Sequence, residues 1–264
     1  MGQAALVGVI SPFPDRSLRH QVPVTIDRSH VATVTSILKR RVDAVQRFEA
    51  FSDISAADCG VIMAEAQEVH FQRHSTIFRE RTPANRVVMV ISGCVKVTQT
   101  GSSGQEVILR LHGPGDLLGE VGDQLSAKHC HSAHAIQNST VLIWDADGFE
   151  GAVKRYPMLR RNVANLLERQ LTELEIRFRE VSTEKVATRL GNLLVRLANQ
   201  VGKRVDGHIE IALSRRDLAQ LTGTTLFTVS RLLCQWETQG IVSARREAVL
   251  VHDVQALLDM SSEE

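Results

Sequence analysis

Six apolar residues in one stretch of the chain are separated by three and four residues in regular alternation: Ala164, Leu167, Leu171, Leu174, Phe178 and Val181. This heptad spacing places them in one narrow stripe along a helix, and charged residues flank the stripe on both sides. A narrow stripe on so charged a helix favours a partner helix, most simply the same helix of a second subunit. We predict a dimerisation helix over residues 154–181 and hence a homodimer. A helix packed only on its own domain is the alternative.

Short apolar segments separated by turns precede this helix. Residues 87–91 form an apolar run, and after Ser92-Gly93 the segment 94–98 is expected to be the return strand. Residues 106–111 have the period of a half-buried strand, with Glu106, Ile108 and Arg110 alternating with Val107, Leu109 and Leu111, and residues 141–144 close the series. Strands at this spacing with no long helix between them are typical of an antiparallel roll. The sequence predicts an α+β protein whose β-roll, with flanking helices, occupies residues 28–153, after a loose arm over residues 1–27.

The last part of the chain, residues 182–264, has the order of elements of a winged helix-turn-helix. Ser182-Thr183 is expected to cap a helix over residues 184–200. Ser214 and Asp217 have the spacing of a capping box at the start of the next helix, which Gly223 ends. Thr224 or Thr225 can cap the second helix of the motif, and two short strands with Arg245 and Arg246 between them form the wing.

The chemistry of this motif suits DNA. An arginine such as Arg231 can pair with guanine O6 and N7 in the major groove, and Thr225 at a helix N-terminus can bind phosphate. Arg215, Arg216 and the wing arginines add local positive charge. The alternative is a helical hairpin that serves only for packing, with Arg231 on a solvated surface.

Composition excludes several classes of protein. Lys and Arg number 31 against 30 Asp and Glu, so the net charge of +1 argues against a binder whose whole surface is basic. No apolar run approaches about eighteen residues, so we expect no membrane partner. The four cysteines are far apart, which argues against a disulfide framework and predicts a reducing, cytoplasmic location. No Walker, Rossmann or H-E-x-x-H motif is present, and we expect no enzyme.

Residues 213–242, LSRRDLAQLTGTTLFTVSRLLCQWETQGIV, closely resemble the helix-turn-helix signature of the Crp/Fnr family of bacterial transcription regulators. The upstream roll, the segment GPGDLLGE and the long helix also resemble that family. The resemblance implies a cyclic-nucleotide-binding-like sensor roll, a homodimer on a palindromic operator in double-stranded DNA, and RNA polymerase as a partner. A sensor protein that binds a cyclic nucleotide, metal or haem and uses its C-terminal helices for packing is the alternative.

Several residues match positions at which members of the family contact DNA. Thr225, Ser230 and Arg231 match positions that contact phosphate or bases, whereas Phe227 stands where many members have Glu. A phenyl ring cannot accept a hydrogen bond from cytosine N4 but can touch a thymine methyl. The operator is therefore predicted to differ from the family's usual half-sites. The candidate DNA-binding residues are Ser214, Arg215, Thr225, Phe227, Thr228, Ser230, Arg231 and Arg245.

The candidate effector-binding residues also follow from the resemblance. Gly119 and Glu120 match the family's phosphate-binding cassette, and His131-Ser132 stands where the cyclic-AMP-binding pattern has Arg-Ser. A neutral imidazole offers one donor in place of a charged guanidinium fork, which argues against cyclic AMP. The N-terminal cysteine cluster of the iron–sulfur members is missing, because no cysteine precedes Cys59. The effector is left unassigned.

The histidines and the cysteine near residue 130 suggest a metal or haem site as an alternative. On a strand, His129 and His131 would share one face, and Cys130 and His134 the other. All four cannot then converge on one ion without a bend, so we predict no metal ligands.

Overall fold

The computed structural model describes residues 28–102, 104–119 and 128–262. One compact unit ends at Ile37, and the other, Leu38–Glu264, contains all the described strands. The loose arm predicted for residues 1–27 lies outside the described residues. In the described part of the chain, no helix is both long and apolar enough to cross a membrane.

Two antiparallel sheets form the roll. The helical segments before it are α1 (Arg28–Val45), a 3-10 turn (Glu49–Phe51) and α2 (Ala56–Ala64). The strands are β1 (Gln67–Phe71), β2 (Thr76–Phe78), β3 (Arg86–Ser92), β4 (Val95–Thr100), β5 (Glu106–His112), β6 (Leu117–Leu118), β7 (Ser132–Ala135) and β8 (Ser139–Asp145). Their orders in the two sheets are β1-β8-β3-β6 and β2-β7-β4-β5. The structure therefore confirms the predicted antiparallel roll.

The sequence of β3 is a run of apolar residues because both faces of this strand are buried. Successive side chains of a strand point to opposite faces. Val88 and Val90 pack inside the roll, whereas Val87 and Met89 belong to a second core that includes residues of α2. The side chains of the neighbouring β8 also alternate between the two cores. On the side of α2, the indole Nε1 of Trp144 donates to the carbonyl of Ile62, at 2.9 Å. The sheet is thus covered on both sides.

Two helices follow the roll: α3 (Ala146–Arg155) and the long α4 (Pro157–Thr183). The predicted start of the long helix, at residue 154, falls inside α3. The break occurs at Tyr156, whose extended backbone fits the restriction that a proline imposes on the residue before it. The buried Asn162 of α4 donates from its amide to the carbonyls of Ala50 and Ser52, at 3.2 and 2.8 Å.

The C-terminal elements form a small domain around its own sheet. They are α5 (Val186–Gln200), β9 (Lys203–Val205), β10 (His208–Ile211), α6 (Arg215–Thr222), α7 (Leu226–Thr238), β11 (Val242–Ala244), β12 (Val249–Val251) and α8 (Val254–Ser262). The sheet order is β11-β12-β10-β9. The core of this domain extends to the roll, because Ile108 and Leu111 of β5 belong to the same buried cluster as Leu218 of α6.

The predicted cap at Ser182-Thr183 is wrong. Both residues end α4, and their hydroxyls donate to the carbonyls of Phe178 and Arg179, each at 2.9 Å. Ser and Thr side chains can bond back to the carbonyl four residues earlier as well as cap a helix, and spacing alone does not separate the two uses. Helix α5 begins only at Val186.

Two glycines in turns of the roll allow a test of its packing. Gly93 and Gly104 have φ angles of +89° and +80°, but a Cβ atom at Gly93 would lie 2.5 Å from the carbonyl oxygen of Asn138, whereas nothing lies within 4 Å at Gly104. We expect Gly104→Ala to lower the free energy of unfolding by about 1–2 kcal/mol, the strain of a left-handed residue. Gly93→Ala should lower it substantially more, because the backbone must also shift.

Urea unfolding of both variants measures the difference. Equal losses would show that the turn at Gly93 can relax away from Asn138.

Candidate functional site

Helix α6 begins with the predicted capping box. The hydroxyl oxygen of Ser214 accepts from the Asp217 amide at 3.1 Å, and the Asp217 carboxylate accepts from the Ser214 amide at 3.2 Å. The helix ends at Gly223, which adopts a left-handed conformation with φ +61°. The chain then turns directly into α7, whose N-cap is Thr225. Local hydrogen bonds and one glycine thus fix both ends of α6 and the start of α7.

The first turn of α7 is held by its cap. The hydroxyl oxygen of Thr225 accepts from the Thr228 amide at 3.1 Å, and the two threonine hydroxyls are 2.9 Å apart. Thr225 and Phe227 are exposed, whereas Thr228 and Ser230 are half-buried. The cap therefore engages both hydroxyls, and the polar atoms at the start of α7 are held in place.

The two faces of α7 have opposite character. Its inner face packs into the domain core through Val229, Leu232, Leu233 and Trp236. Phe227 is 76% exposed on the outer side, and Arg231, one turn further along, is exposed as well. Among the described residues, none forms a hydrogen bond or an ion pair with the Arg231 guanidinium. This face can enter a groove without disturbing the core.

A two-stranded wing completes the motif. Strands β11 and β12 pair antiparallel, and their turn is closed by the Arg245 amide, which donates to the Ala248 carbonyl at 2.9 Å. Arg245 and Arg246 are exposed at this tip, and a carboxylate oxygen of Glu210 is 4.0 Å from the guanidinium of Arg245. Both guanidinium groups are therefore available to phosphates.

The predicted residue Arg215 is placed differently from the other arginines. It is half-buried in the first turn of α6, and none of the described residues forms a hydrogen bond with its Nε atom. The neighbouring Arg216 is exposed. Arg216 is therefore the more exposed of the two arginines at the entry of the helix-turn-helix.

The roll contacts α6 through residues that the sequence did not single out. Lys96 of β4 forms an ion pair with Asp217, with Nζ and the carboxylate oxygen 2.9 Å apart. The side chain of Gln220 donates to the Glu106 carbonyl at 3.1 Å. Because Lys96 and Asp217 are separated by more than a hundred residues, no local pattern could have paired them.

Arg177 of α4 contacts both the roll and α6. Its guanidinium donates to the carbonyls of Leu109 and Ile108 in β5 and to the Leu221 carbonyl in α6, the last at 3.0 Å. Burial lowers the pKa of Arg177, yet an arginine keeps its charge throughout the physiological range. One charged side chain therefore links the roll, the long helix and the helix-turn-helix.

The predicted dimerisation stripe is exposed on α4. Leu167, Leu171 and Leu174 are 44%, 56% and 43% exposed, and Phe178 and Val181 are 74% and 49% exposed. Ala164 is exposed too. The opposite side of the helix packs on the rest of the chain through residues such as Leu159, Val163, Leu166 and Gln170.

Comparison with known proteins gives the chain's family. The model of the cyclic nucleotide-binding domain matches residues 68–156, and that of the Crp-like helix-turn-helix domain matches residues 188–260. The chain belongs to the Crp/Fnr family. Members of this family are transcription regulators and not enzymes, and a Crp-like helix-turn-helix binds DNA.

Individual members of the Crp/Fnr family match most of the chain. The CRP-like cAMP-activated global transcriptional regulator of Mycobacterium tuberculosis is 24% identical over 217 residues, 81% of this chain and 97% of that protein. The cyclic AMP receptor protein of Thermus thermophilus is 26% identical, with 77% and 95% of the two chains covered. The structure of FixK2 from Bradyrhizobium japonicum superposes with a TM-score of 0.65 at 26% identity, covering 75% of this chain and 98% of that one.

The effector region of this Crp/Fnr protein is described in part. Glu120 lies outside the described residues, whereas Gly119 has φ +103° and packs so closely on β3 that a Cβ would lie 2.5 Å from the Arg86 carbonyl oxygen. His131 is half-buried just before β7, and the hydroxyl oxygen of Ser132 accepts from the Glu80 amide at 2.9 Å. A hydrogen bond within the protein thus engages Ser132.

Three other histidines of this Crp/Fnr roll, His112, His129 and His134, are held by neighbouring side chains or buried. The His129 ring stacks on Phe78 at 4.0 Å, and Nδ1 of His134 is 3.2 Å from the Thr76 hydroxyl. Burial lowers the pKa of His112 to about 3, assisted by the charges of Arg110 and His131, so its ring is neutral. Within the described ranges, no three His, Cys, Asp or Glu side chains are grouped so that they could hold a metal ion.

The capping carboxylate makes stability depend on pH. Burial by itself would raise the pKa of Asp217, but the hydrogen bonds from Ser214 and Lys96 outweigh burial, so the pKa lies below its ordinary value of 3.8. A lowered pKa stabilises the fold above the ordinary value, and this contribution disappears as the pH falls through the lowered one. We expect Asp217→Asn to lower the free energy of unfolding by about 1–2 kcal/mol at pH 7.

The loss should shrink at pH 3 and vanish under more acidic conditions, as measured by urea unfolding at each pH. Asp147→Asn, the same change at an exposed position in the first turn of α3, serves as the control and should have little effect. A loss for Asp217→Asn that stays constant with pH would contradict this role of the carboxylate.

Proposed function

We propose that this protein binds a palindromic operator as a homodimer and regulates transcription in response to a signal sensed by the roll. The observation that carries the proposal is the outer face of α7, where Phe227 and Arg231 are exposed beyond a capped N-terminus. In a helix-turn-helix the second helix lies in the major groove, with its N-terminal residues at the base edges. Arg231 donates to guanine, and the Thr225 end of the helix binds phosphate.

The homodimer is supported by the stripe on α4. Four of its side chains are Leu or Phe, and they are exposed along one side of a helix whose other side packs on its own subunit. Burial of large apolar side chains is the main favourable term in association. A two-fold axis along paired α4 helices presents two α7 helices to two half-sites, so a symmetric protein reads a symmetric sequence.

In our proposal, the roll senses its signal by a mechanism other than recognition of cyclic AMP. His131 stands in place of the arginine that would clamp a cyclic phosphate, and the Ser132 hydroxyl already accepts a bond from Glu80. The effector is a different ligand or stimulus, and it acts by favouring one of two arrangements of roll and helix-turn-helix. RNA polymerase as a partner and a cytoplasmic location are further parts of the proposal, supported by family membership.

The operator is predicted to differ from the family's usual half-sites, TGTGA and TTGAT. Selection of binding sites from random DNA by the full-length protein should enrich a palindrome with a guanine in each half-site that depends on Arg231. Recovery of TGTGA or TTGAT would contradict the role given to Phe227. Failure to enrich any sequence would contradict the operator proposal as a whole.

We expect Arg231→Ala to weaken binding to the selected operator by about 1–3 kcal/mol per half-site and to relax the preference at one base pair. Arg161→Ala removes the same charge from an exposed position of α4 and should leave both affinity and preference unchanged. Fluorescence anisotropy with the operator and with each single-base variant measures both quantities. An Arg231→Ala protein with the original preference would refute the contact with guanine.

A charged residue introduced into the stripe tests whether the stripe forms the dimer interface. Phe178→Glu should convert the protein to a monomer, because two carboxylates would face each other in a desolvated interface. Thr172→Glu places the same charge on the same helix outside the stripe and should leave the dimer intact. Analytical ultracentrifugation of the two variants gives the masses, and a dimeric Phe178→Glu protein would discard the stripe as the interface.

A further inference from the structure

The start of α7 is apolar and exposed. Phe227 is 76% exposed and its neighbour Leu226 is 49% exposed, whereas the inner face of the same helix is fully buried. The other prominent group of exposed large apolar residues lies in the stripe on α4. A ring so exposed contributes almost no burial energy to its own domain. Stability of the fold therefore does not account for an aromatic residue at this position.

Among the described residues of the first turn of α7, no carboxylate lies beside this ring. The first turn of α7 has no acidic residue, and the hydroxyls of Thr225 and Thr228 are bonded to each other and to the cap. The tip of the helix therefore cannot accept a hydrogen bond from cytosine N4 or adenine N6 through a carboxylate. The contact of Phe227 itself with a base edge is therefore apolar.

The major groove offers one apolar feature at a base edge, the C5-methyl group of thymine. A 5-methylcytosine carries the same methyl on the same ring carbon. The two bases differ in the group at C4, which the ring of Phe227 does not read. An apolar contact at C5 thus distinguishes methylated from unmethylated pyrimidines and treats thymine and 5-methylcytosine alike.

Arg231 lies on the same face as Phe227, four residues further along the helix. Four residues span about 6 Å of helix, whereas successive base pairs are about 3.4 Å apart. A methyl contact at Phe227 and a guanine contact at Arg231 therefore fall within one or two base steps of each other. The two side chains read a methylated pyrimidine beside a guanine.

We propose that Phe227 reads the C5-methyl group of a pyrimidine in each half-site, so that the protein binds thymine and 5-methylcytosine alike and discriminates against unmethylated cytosine. This rests on the proposed operator binding and adds the chemical group that is recognised. Cytosine methylation at that position strengthens binding to the site about fourfold, so that occupancy of such a site depends on DNA methylation.

The test uses the full-length protein and the operator selected from random DNA. Each thymine is replaced in turn by deoxyuridine, which removes the methyl and keeps the oxygen at C4. At one thymine per half-site, we expect the loss of one buried methyl to weaken binding about fourfold. At the same position, 5-methylcytosine paired with guanine should bind about fourfold more tightly than cytosine paired with guanine.

The protein variants assign the effect to Phe227. Phe227→Ala should bind the thymine and deoxyuridine operators equally, and its exposed position leaves the fold intact. Arg231→Ala should weaken binding yet keep the methyl preference, and Phe227→Glu should favour unmethylated cytosine, because a carboxylate accepts from N4.

The proposal is overturned if no thymine of the operator is sensitive to loss of its methyl, or if Phe227→Ala keeps the methyl preference. A well-defined operator without methyl dependence overturns the methyl contact and leaves the proposed function standing. If the selection enriches no sequence, both fail together.

Discussion

The guanidinium of Arg177 is the contact on which the arrangement of the three parts depends. It donates to two carbonyls of β5 and to the carbonyl of Leu221 at the end of α6, while its own backbone belongs to α4. Removal of a charge from water is unfavourable unless hydrogen bonds replace the solvent, and here backbone oxygens do so. Because these acceptors belong to separate elements, a shift of any one of them leaves a buried donor unpaired. The positions of the roll, α4 and the helix-turn-helix therefore depend on one another.

Much of the fold follows from local signals. The capping box at Ser214, the left-handed Gly223 and the cap at Thr225 act within a few residues of each other, and the sequence predicts the first two and narrows the cap to Thr224 or Thr225. In β5 the predicted alternation is wrong, because Val107 is 40% exposed and Ile108 is buried. The stripe on α4, by contrast, depends only on which face of the helix is apolar. Such features can be predicted because the residues that interact are neighbours along the chain.

The contacts between elements could not be predicted in this way. Lys96 reaches Asp217 only because β4 and α6 are brought together by the packing of β5 on the C-terminal core. The sequence does not distinguish Arg215 from Arg216, yet in the folded chain Arg215 is half-buried and Arg216 is exposed. Ser182 and Thr183 have residue types that suit the start of one helix and the end of another, and tertiary structure decided between the two. The distances between residues that are far apart along the chain cannot be predicted from a single sequence by local patterns.

The tip of the wing also contacts the roll. Glu247 lies beside the two wing arginines and forms an ion pair with Arg73 of the roll, at 2.7 Å. Both side chains are partly exposed, so dissolved ions screen this pair as they screen any surface charge pair. The same ions weaken the attraction between arginines and phosphates. A rise in ionic strength therefore weakens both the ion pair between the wing and the roll and the attraction between the wing and DNA.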